Sequence, residues 1–270
     1  MNSPIKHHYV PQCYLKKFSL DKVNIKYYDK ELCCCCNKEI NKICQTPNLY
    51  TLSQSNDPYY IETMFFANDN ERKLGKQLVL FDNINDKSTT ILYDKAQRKI
   101  LAKQIVLQYV RTPKYRDTKS EYELKAYYDQ IILLLNKINF NVDEIKFEAN
   151  NKAEFHKTLL LNNMEDIILD IADCDWELLY TSSGEFYTSD NPVTIKARED
   201  MPVTYCDAIE FFSEILYPLN PKLMLHIIAR PNTSNKKINI RVCNEEELQM
   251  INKQIKRKAV KYVIYTHKFS

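Results

Sequence analysis

The order of its segments predicts an α+β protein, with a mixed or largely antiparallel sheet, a helical middle layer and a single domain over residues 1–270. Three observations carry that expectation. Strand-like runs dominate residues 1–59, apolar residues at helical spacing fill 60–172, and strand-like runs return over 173–270. No regular strand–helix–strand alternation runs through the chain, and no linker, internal repeat or low-complexity segment divides it.

Val23–Tyr28 and Glu39–Cys44 read as two strands separated by an irregular turn, with Leu49–Leu52 extending the second. The polar stretch from Ser53 to Tyr59, with Pro58, reads as loop. From Tyr60, residues Ile61, Phe65, Leu74, Leu78 and Phe81 recur at helical spacing. Asp94 suits the N-cap of a second helix through Ile100, Ile105, Leu107 and Val110. Pro113 stops it, because the residue before a proline is driven out of the α region. Further helices are expected over 118–138 and 152–172. Trp176–Thr181 and Glu185–Thr188 flank Ser182-Ser183-Gly184 in a hairpin pattern. Leu223–Ile228 and Ile238–Val242 are strands, Asn244 caps a helix running to Lys258 with Glu247 at capping-box spacing, and Tyr262–Tyr265 closes as a strand.

Composition narrows the class. Hydrophobic residues make up 44% and charged residues 27%, as in an ordinary globular fold. A net charge of +3 neither demands nor forbids a nucleic-acid partner. No apolar run reaches the roughly 18 residues of a membrane span, and Met1–Lys6 lacks the apolar stretch of a secretory signal. A cytoplasmic location without a membrane partner is expected. The nine cysteines are odd in number and four are adjacent at Cys33–Cys36, a poor disulfide framework that stays reduced in that compartment. Cys33 and Cys36 have the spacing of a zinc site, with Cys44 near and Cys13, His7 and His8 upstream; the simpler reading is a tolerated run in a surface strand or turn. Two glycines cannot build the usual nucleotide cradles, and the phosphate-loop, dinucleotide, HExxH and kinase motifs are missing, which argues against ATP hydrolysis and NAD chemistry.

Five stretches stand out: His7-His8-Tyr9-Val10-Pro11-Gln12 with Tyr14-Leu15 and Phe18; Ile61-Glu62 followed by Asn70-Glu71; Gln108 to Pro113; Phe186 with Ser189-Asp190-Asn191-Pro192; and Pro218-Leu219-Asn220-Pro221. In this order and over nearly the full length they resemble a bacterial family, domain-of-unknown-function family 4238. Its pattern opens HHYVPQ-x-YL-x-x-F and continues with paired IE elements, Q-x-x-RTP, F-x-x-SDNP and PLSP. Here Asn70 stands for the second isoleucine, and Asn220 for the serine. The resemblance brings no activity with it.

The residues of those stretches carry the chemistry. His7 and His8 face opposite ways on a strand and converge in a loop; they read either as acid, base or metal ligand, or as structural histidines pinning the N-terminus. Glu62 and Glu71 lie nine residues apart, which on an unbroken α-helix puts them on opposite sides, so Glu62 is the preferred site residue. Arg111, at a helix end, reads as a cap, as a buried partner of Glu62, or as a bidentate clamp on phosphate or carboxylate. Gln108 sits one turn back on the same face. Asp190 follows a strand and suits a metal ligand or an orienting group; Asn191 binds substrate or forms an Asx turn, the turn being favoured. Ser189 lacks a nucleophile elbow, and Tyr9, Tyr14, Tyr109 and Tyr187 read as core or wall aromatics.

The expected function is a metal-dependent phosphodiester hydrolase, a nuclease acting as bacterial toxin or anti-phage defence effector. His7, His8, Glu62 and Asp190 are its catalytic groups. Glu62 and Asp190 hold Mg, Mn or Zn, and Arg111, Gln108 and Asn191 bind a nucleic-acid substrate. The alternative is a non-enzymatic sensor or interaction module for a small anion or a protein partner. Convergence of these residues on an accessible cleft favours the first; burial with mutual satisfaction favours the second.

Overall fold

The computed structural model describes residues 6–52, 56–119, 164–198, 209, 212–231 and 237–269. The protein is α+β, with three sheets among the described residues. A short pair joins β1 (Lys6–His8) to β4 (Gln45–Pro47), antiparallel, with His7 opposite Thr46. A four-stranded antiparallel sheet runs β3-β2-β12-β7, from β2 (Asn24–Asp29), β3 (Cys34–Glu39), β7 (Thr188–Ser189) and β12 (Tyr262–Tyr265). A six-stranded sheet has the order β5-β11-β6-β10-β9-β8. Its members are β5 (Thr90–Leu92), β6 (Cys174–Tyr180), β8 (Thr194–Ala197), β9 (Phe212–Asn220), β10 (Leu223–Pro231) and β11 (Lys237–Val242). All its pairings are antiparallel except β11 with β6.

The helices are α1 (Gln12–Leu15), α2 (Arg72–Val79), α3 (Lys95–Val110), α4 (Glu165–Asp173) and α5 (Glu245–Lys258). A π-helix, Ile61–Glu71, leads directly into α2. Asp94 caps α3 as expected, and the box is reciprocal: its side chain accepts from the Gln97 N–H, and the Gln97 amide accepts from the Asp94 N–H. At α5 only half of the box forms. Asn244 accepts from the Glu247 N–H, but the Glu247 carboxylate turns to Arg241 at 2.7 Å. One core runs from Tyr9 to Ile264 and takes in Leu101, Ile105, Ile168 and the alternate residues Leu178, Leu225 and Ile227. A second lies under α5, where Leu248, Ile251 and Ile255 meet Leu179, Met224 and Val263.

Three expectations need correction. The second early strand is the cysteine run Cys34–Glu39, not Glu39–Cys44; Ile40–Lys42 is a 3-10 turn whose Ile40 is buried. An apolar residue at alternate positions marked a buried turn there, not a strand. Leu49–Leu52 is turn and coil built around the buried Tyr50. Glu185–Thr188 does not fold back on β6, because both edges of β6 are taken by β10 and β11. The chain crosses instead to the other sheet, where β7 pairs with β12. Most of the helix expected over 118–138, and most of that over 152–172, lie outside the described residues.

Candidate functional site

The first residues of the chain are seated by the end of α3. Arg111 is the C-cap of α3 and its N–H bonds the Leu107 carbonyl at 2.9 Å. Its side chain folds back into the interior, where it is buried. Nη2 donates to the His8 carbonyl at 2.5 Å and to Glu71 Oε1 at 3.0 Å, and the guanidinium lies 3.9 Å from the centre of the Phe66 ring. The Tyr50 hydroxyl holds the Arg111 carbonyl at 2.6 Å. Gln108, on the same face as expected, donates to the Tyr9 carbonyl at 2.9 Å. Burial alone would lower the Arg111 pKa; the neighbouring Tyr50, Glu71 and Glu62 outweigh it and hold the group above its ordinary range.

The two histidines part, as strand neighbours must. His7 is fully buried, accepts the Tyr50 N–H at Nδ1 (2.9 Å) and stacks on the Tyr50 ring with centroids 5.6 Å apart. That is the structural reading, so His7 is withdrawn as a catalytic group. His8 points the other way and is half-buried. Its backbone N–H reaches Glu62 Oε1 at 3.4 Å. Burial holds the His8 imidazole below its usual value, with Arg111 and His7 adding to that effect; Glu71 and the Asn41 backbone pull the other way. Burial pushes Glu62 up to about 7; Glu71 reinforces that, while Arg111 and the His8 N–H oppose it.

The π-helix overturns the expectation about the two glutamates. With i→i+5 bonding a turn takes about 4.4 residues, so nine residues make about two full turns. Glu62 and Glu71 therefore share a side, and it is Glu71, not Glu62, that forms the ion pair with Arg111. Asn70 braces the wide turn: its amide donates to the Phe65 carbonyl, five residues back, at 2.6 Å, and its oxygen accepts from Gln104 of α3 at 3.3 Å.

Among the described residues, six buried side-chain atoms have no hydrogen-bond partner. Four belong to this group: His8 Nε2, Glu62 Oε2, Gln108 Oε1 and Arg111 Nε. A fifth is the hydroxyl of Tyr217 on β9, whose ring stacks on Tyr14 and which lies near Cys13 and Arg111. Cys13, on α1, contacts the Glu71 carbonyl through sulfur at 3.7 Å, and burial raises its thiol to about 11. Buried polar atoms are seldom left unpaired, and four of them in one hydrogen-bonded group, with Tyr217 near, mark it as the candidate polar site. Sequence reasoning gave neither Tyr217 nor Cys13 a place in this site; Cys13 stood only beside the zinc-spaced cysteines. The only trace of the first was its place immediately before the Pro218 motif.

Asp190 and Asn191 serve elsewhere. Asp190 Oδ1 accepts the Val260 N–H at 2.9 Å, and Oδ2 accepts those of Lys261 (2.7 Å) and Tyr262 (3.2 Å). Among the described residues, none of its hydrogen bonds is to His8, Glu62, Gln108 or Arg111. Burial still raises its pKa, against those three donors and Lys30. The turn here is capped by serine, not by Asn191: the Asn191 N–H donates to Ser189 Oγ at 3.0 Å, while the Asn191 side chain donates to the Lys258 carbonyl at the end of α5 (3.3 Å). Both pin the α5–β12 junction, so the divalent-ion site expected from Glu62 and Asp190 loses its second ligand. Nor, among the described residues, does any group of three or more His, Cys, Asp or Glu stand ready to hold a metal ion; Cys44 is buried while Cys33 is exposed.

No helix among the described residues is long and apolar enough to cross a membrane. A family model described as "Protein of unknown function (DUF4238)" matches residues 6–269. No curated protein and no solved structure matches the chain.

Proposed function

The chain belongs to the DUF4238 family, whose description assigns no activity, and we propose that it is an acid–base phosphodiesterase acting on nucleic acid, RNA foremost. One observation carries this reading. The His8 backbone N–H reaches the Glu62 carboxyl, the imidazole and that carboxyl each hold a buried unpartnered atom, and burial moves them in opposite senses: His8 below 6.5, Glu62 up to about 7. Between those values a neutral imidazole and a protonated carboxyl coexist, a base and an acid in one patch.

In that state His8 Nε2 takes the proton of the attacking hydroxyl, the ribose 2′-OH in RNA. Glu62 Oε2 gives its proton to the leaving 5′ oxygen. Arg111 Nε–H donates to a non-bridging phosphate oxygen as negative charge gathers there, and Gln108 Oε1 accepts from a sugar or base donor. A toxin or anti-phage effector is the setting that suits such an activity.

The test is cleavage of RNA and DNA oligonucleotides by the wild type, His8→Ala and Glu62→Gln, with and without chelator. We expect RNA cleavage that survives chelation and falls about a hundredfold or more in either variant, with folding checked by circular dichroism. A folded wild type that cleaves neither polymer sinks the proposal. The alternative, a module binding a small anion or a protein partner, is favoured by the engagement of Arg111 Nη2 with His8 and Glu71; phosphate binding without turnover would select it.

A further inference from the structure

The run Cys33–Cys36 takes no part in the site above, and of its side chains only Cys36 packs against the core. Cys33, Cys34 and Cys35 are exposed and Cys36 is half-buried, all as free thiols. Cys33 sits in the turn before β3 with φ 52°, its sulfur on the Lys30 carbonyl at 3.6 Å. From Cys34 onward the chain is strand, so side chains alternate between faces. Cys35 goes to the face that carries Tyr28, its partner across the ladder, and lies against Tyr265. Cys34 and Cys36 go to the other face, and their sulfurs stand 3.5 Å apart. β3 is the edge strand of its sheet, so nothing in the sheet covers that flank.

We propose that Cys34 and Cys36 form a two-thiolate site for a soft monovalent metal ion, with Cu(I) as the ion it fits. Thiolate sulfur selects soft d10 ions. Among the described residues no third His, Cys, Asp or Glu completes a set. A site with only two donors suits an ion that two donors satisfy in a linear bridge, and it disfavours Zn(II), which wants four. Rotation of one exposed χ1 opens the pair from its present contact to that bridge. On binding, each S–H bond breaks and an S–Cu bond forms. Two protons go to solvent, and the thiolate–copper–thiolate unit carries one net negative charge; no electron is transferred.

The experiment is an anaerobic competition for Cu(I) between the full-length protein and bicinchoninate, in a non-thiol reductant, read by the absorbance of the dye complex. The wild type should take up Cu(I) at this site. Cys34→Ser and Cys36→Ser should each weaken that uptake by roughly a hundredfold or more, since each removes half of the ligand set. Cys33→Ser and Cys35→Ser should stay within about threefold, and the changes at the exposed Cys33, Cys34 and Cys35 should not move the melting temperature much. Cys206, outside the described residues, and the thiols away from the run are common to every variant. Uptake unchanged in the Cys34→Ser/Cys36→Ser double variant overturns the proposal. So does an equal loss in Cys35→Ser, which would make the run an undifferentiated cluster.

Discussion

At the scale of single residues, Glu62 is the group whose proton matters to both stability and chemistry. Its folded pKa, about 7, lies above the ordinary 4.5. A raised carboxylate favours the folded state where it is protonated. That contribution is complete below pH 4.5 and is lost as pH rises through about 7. His8 acts in the opposite sense: its lowered pKa contributes stability above 6.5 that is lost as pH falls through the folded value. The comparison that isolates Glu62 is therefore wild type against Glu62→Gln. Thermal melts from pH 5 to 8 should show the variant gaining on the wild type as pH rises, and a constant offset would deny the raised pKa. Asp190 gives the converse case. Asn offers one acceptor where Asp offers two, and its amide would face backbone donors, so Asp190→Asn should cost about 2 kcal/mol in urea unfolding. The pH–rate profile set by Glu62 should not move; a stable but inactive variant would restore Asp190 to the chemistry. Residue types in the sequence pointed to Arg111, Gln108, Glu62 and His8, because a buried cation, amide and carboxylate need one another. They could not separate His7 from His8, since that depends on which face of β1 meets Tyr50.

At the scale of elements, the π-helix decides which glutamate reaches Arg111. The sequence concealed it. Phe65 and Phe66 are adjacent, and the α-spacing from Ile61 fits Phe65. Yet Phe66, five residues after Ile61, is the fully buried one, with Phe65 half-buried. A five-residue step is the signature of the wide turn, and a neighbouring aromatic masked it. Asn70, which stands where the family pattern has isoleucine, is what holds that turn to α3. Asn70→Ala removes two buried hydrogen bonds and should cost about 2 kcal/mol. If the wide turn aligns Glu71 with Arg111, turnover should also fall by about tenfold or more, the equivalent of 1.4 kcal/mol. Gln104→Ala, which removes only one of the two bonds, should fall between. Loss of stability with an unchanged rate would free the site from any dependence on the π-helix.

At the scale of the whole molecule, the succession of strands, helices and strands was legible because hydrophobic period changes visibly at its borders. Caps at Asp94 and Asn244 were legible because capping is local chemistry. Strand partners were not: the crossing of β7 to β12 depends on which sheet edges other strands have filled, a fact no window of sequence contains. The opening segment shows how far apart the decisive contacts lie. His7 is held by Tyr50, His8 by Arg111, the Tyr14 hydroxyl by Thr188 Oγ1 at 2.7 Å, and the Phe18 carbonyl by the Thr266 hydroxyl at 3.0 Å. Contacts of such separation form late. On a ribosome, His8 has left the exit tunnel long before Thr188 and Thr266 exist. A message broken after the codon for Arg111 yields a fragment with His8, Glu62, Gln108 and Arg111 but without the strands that seat the segment. The opening segment therefore has its full set of anchors only once Thr188 and Thr266 have been made.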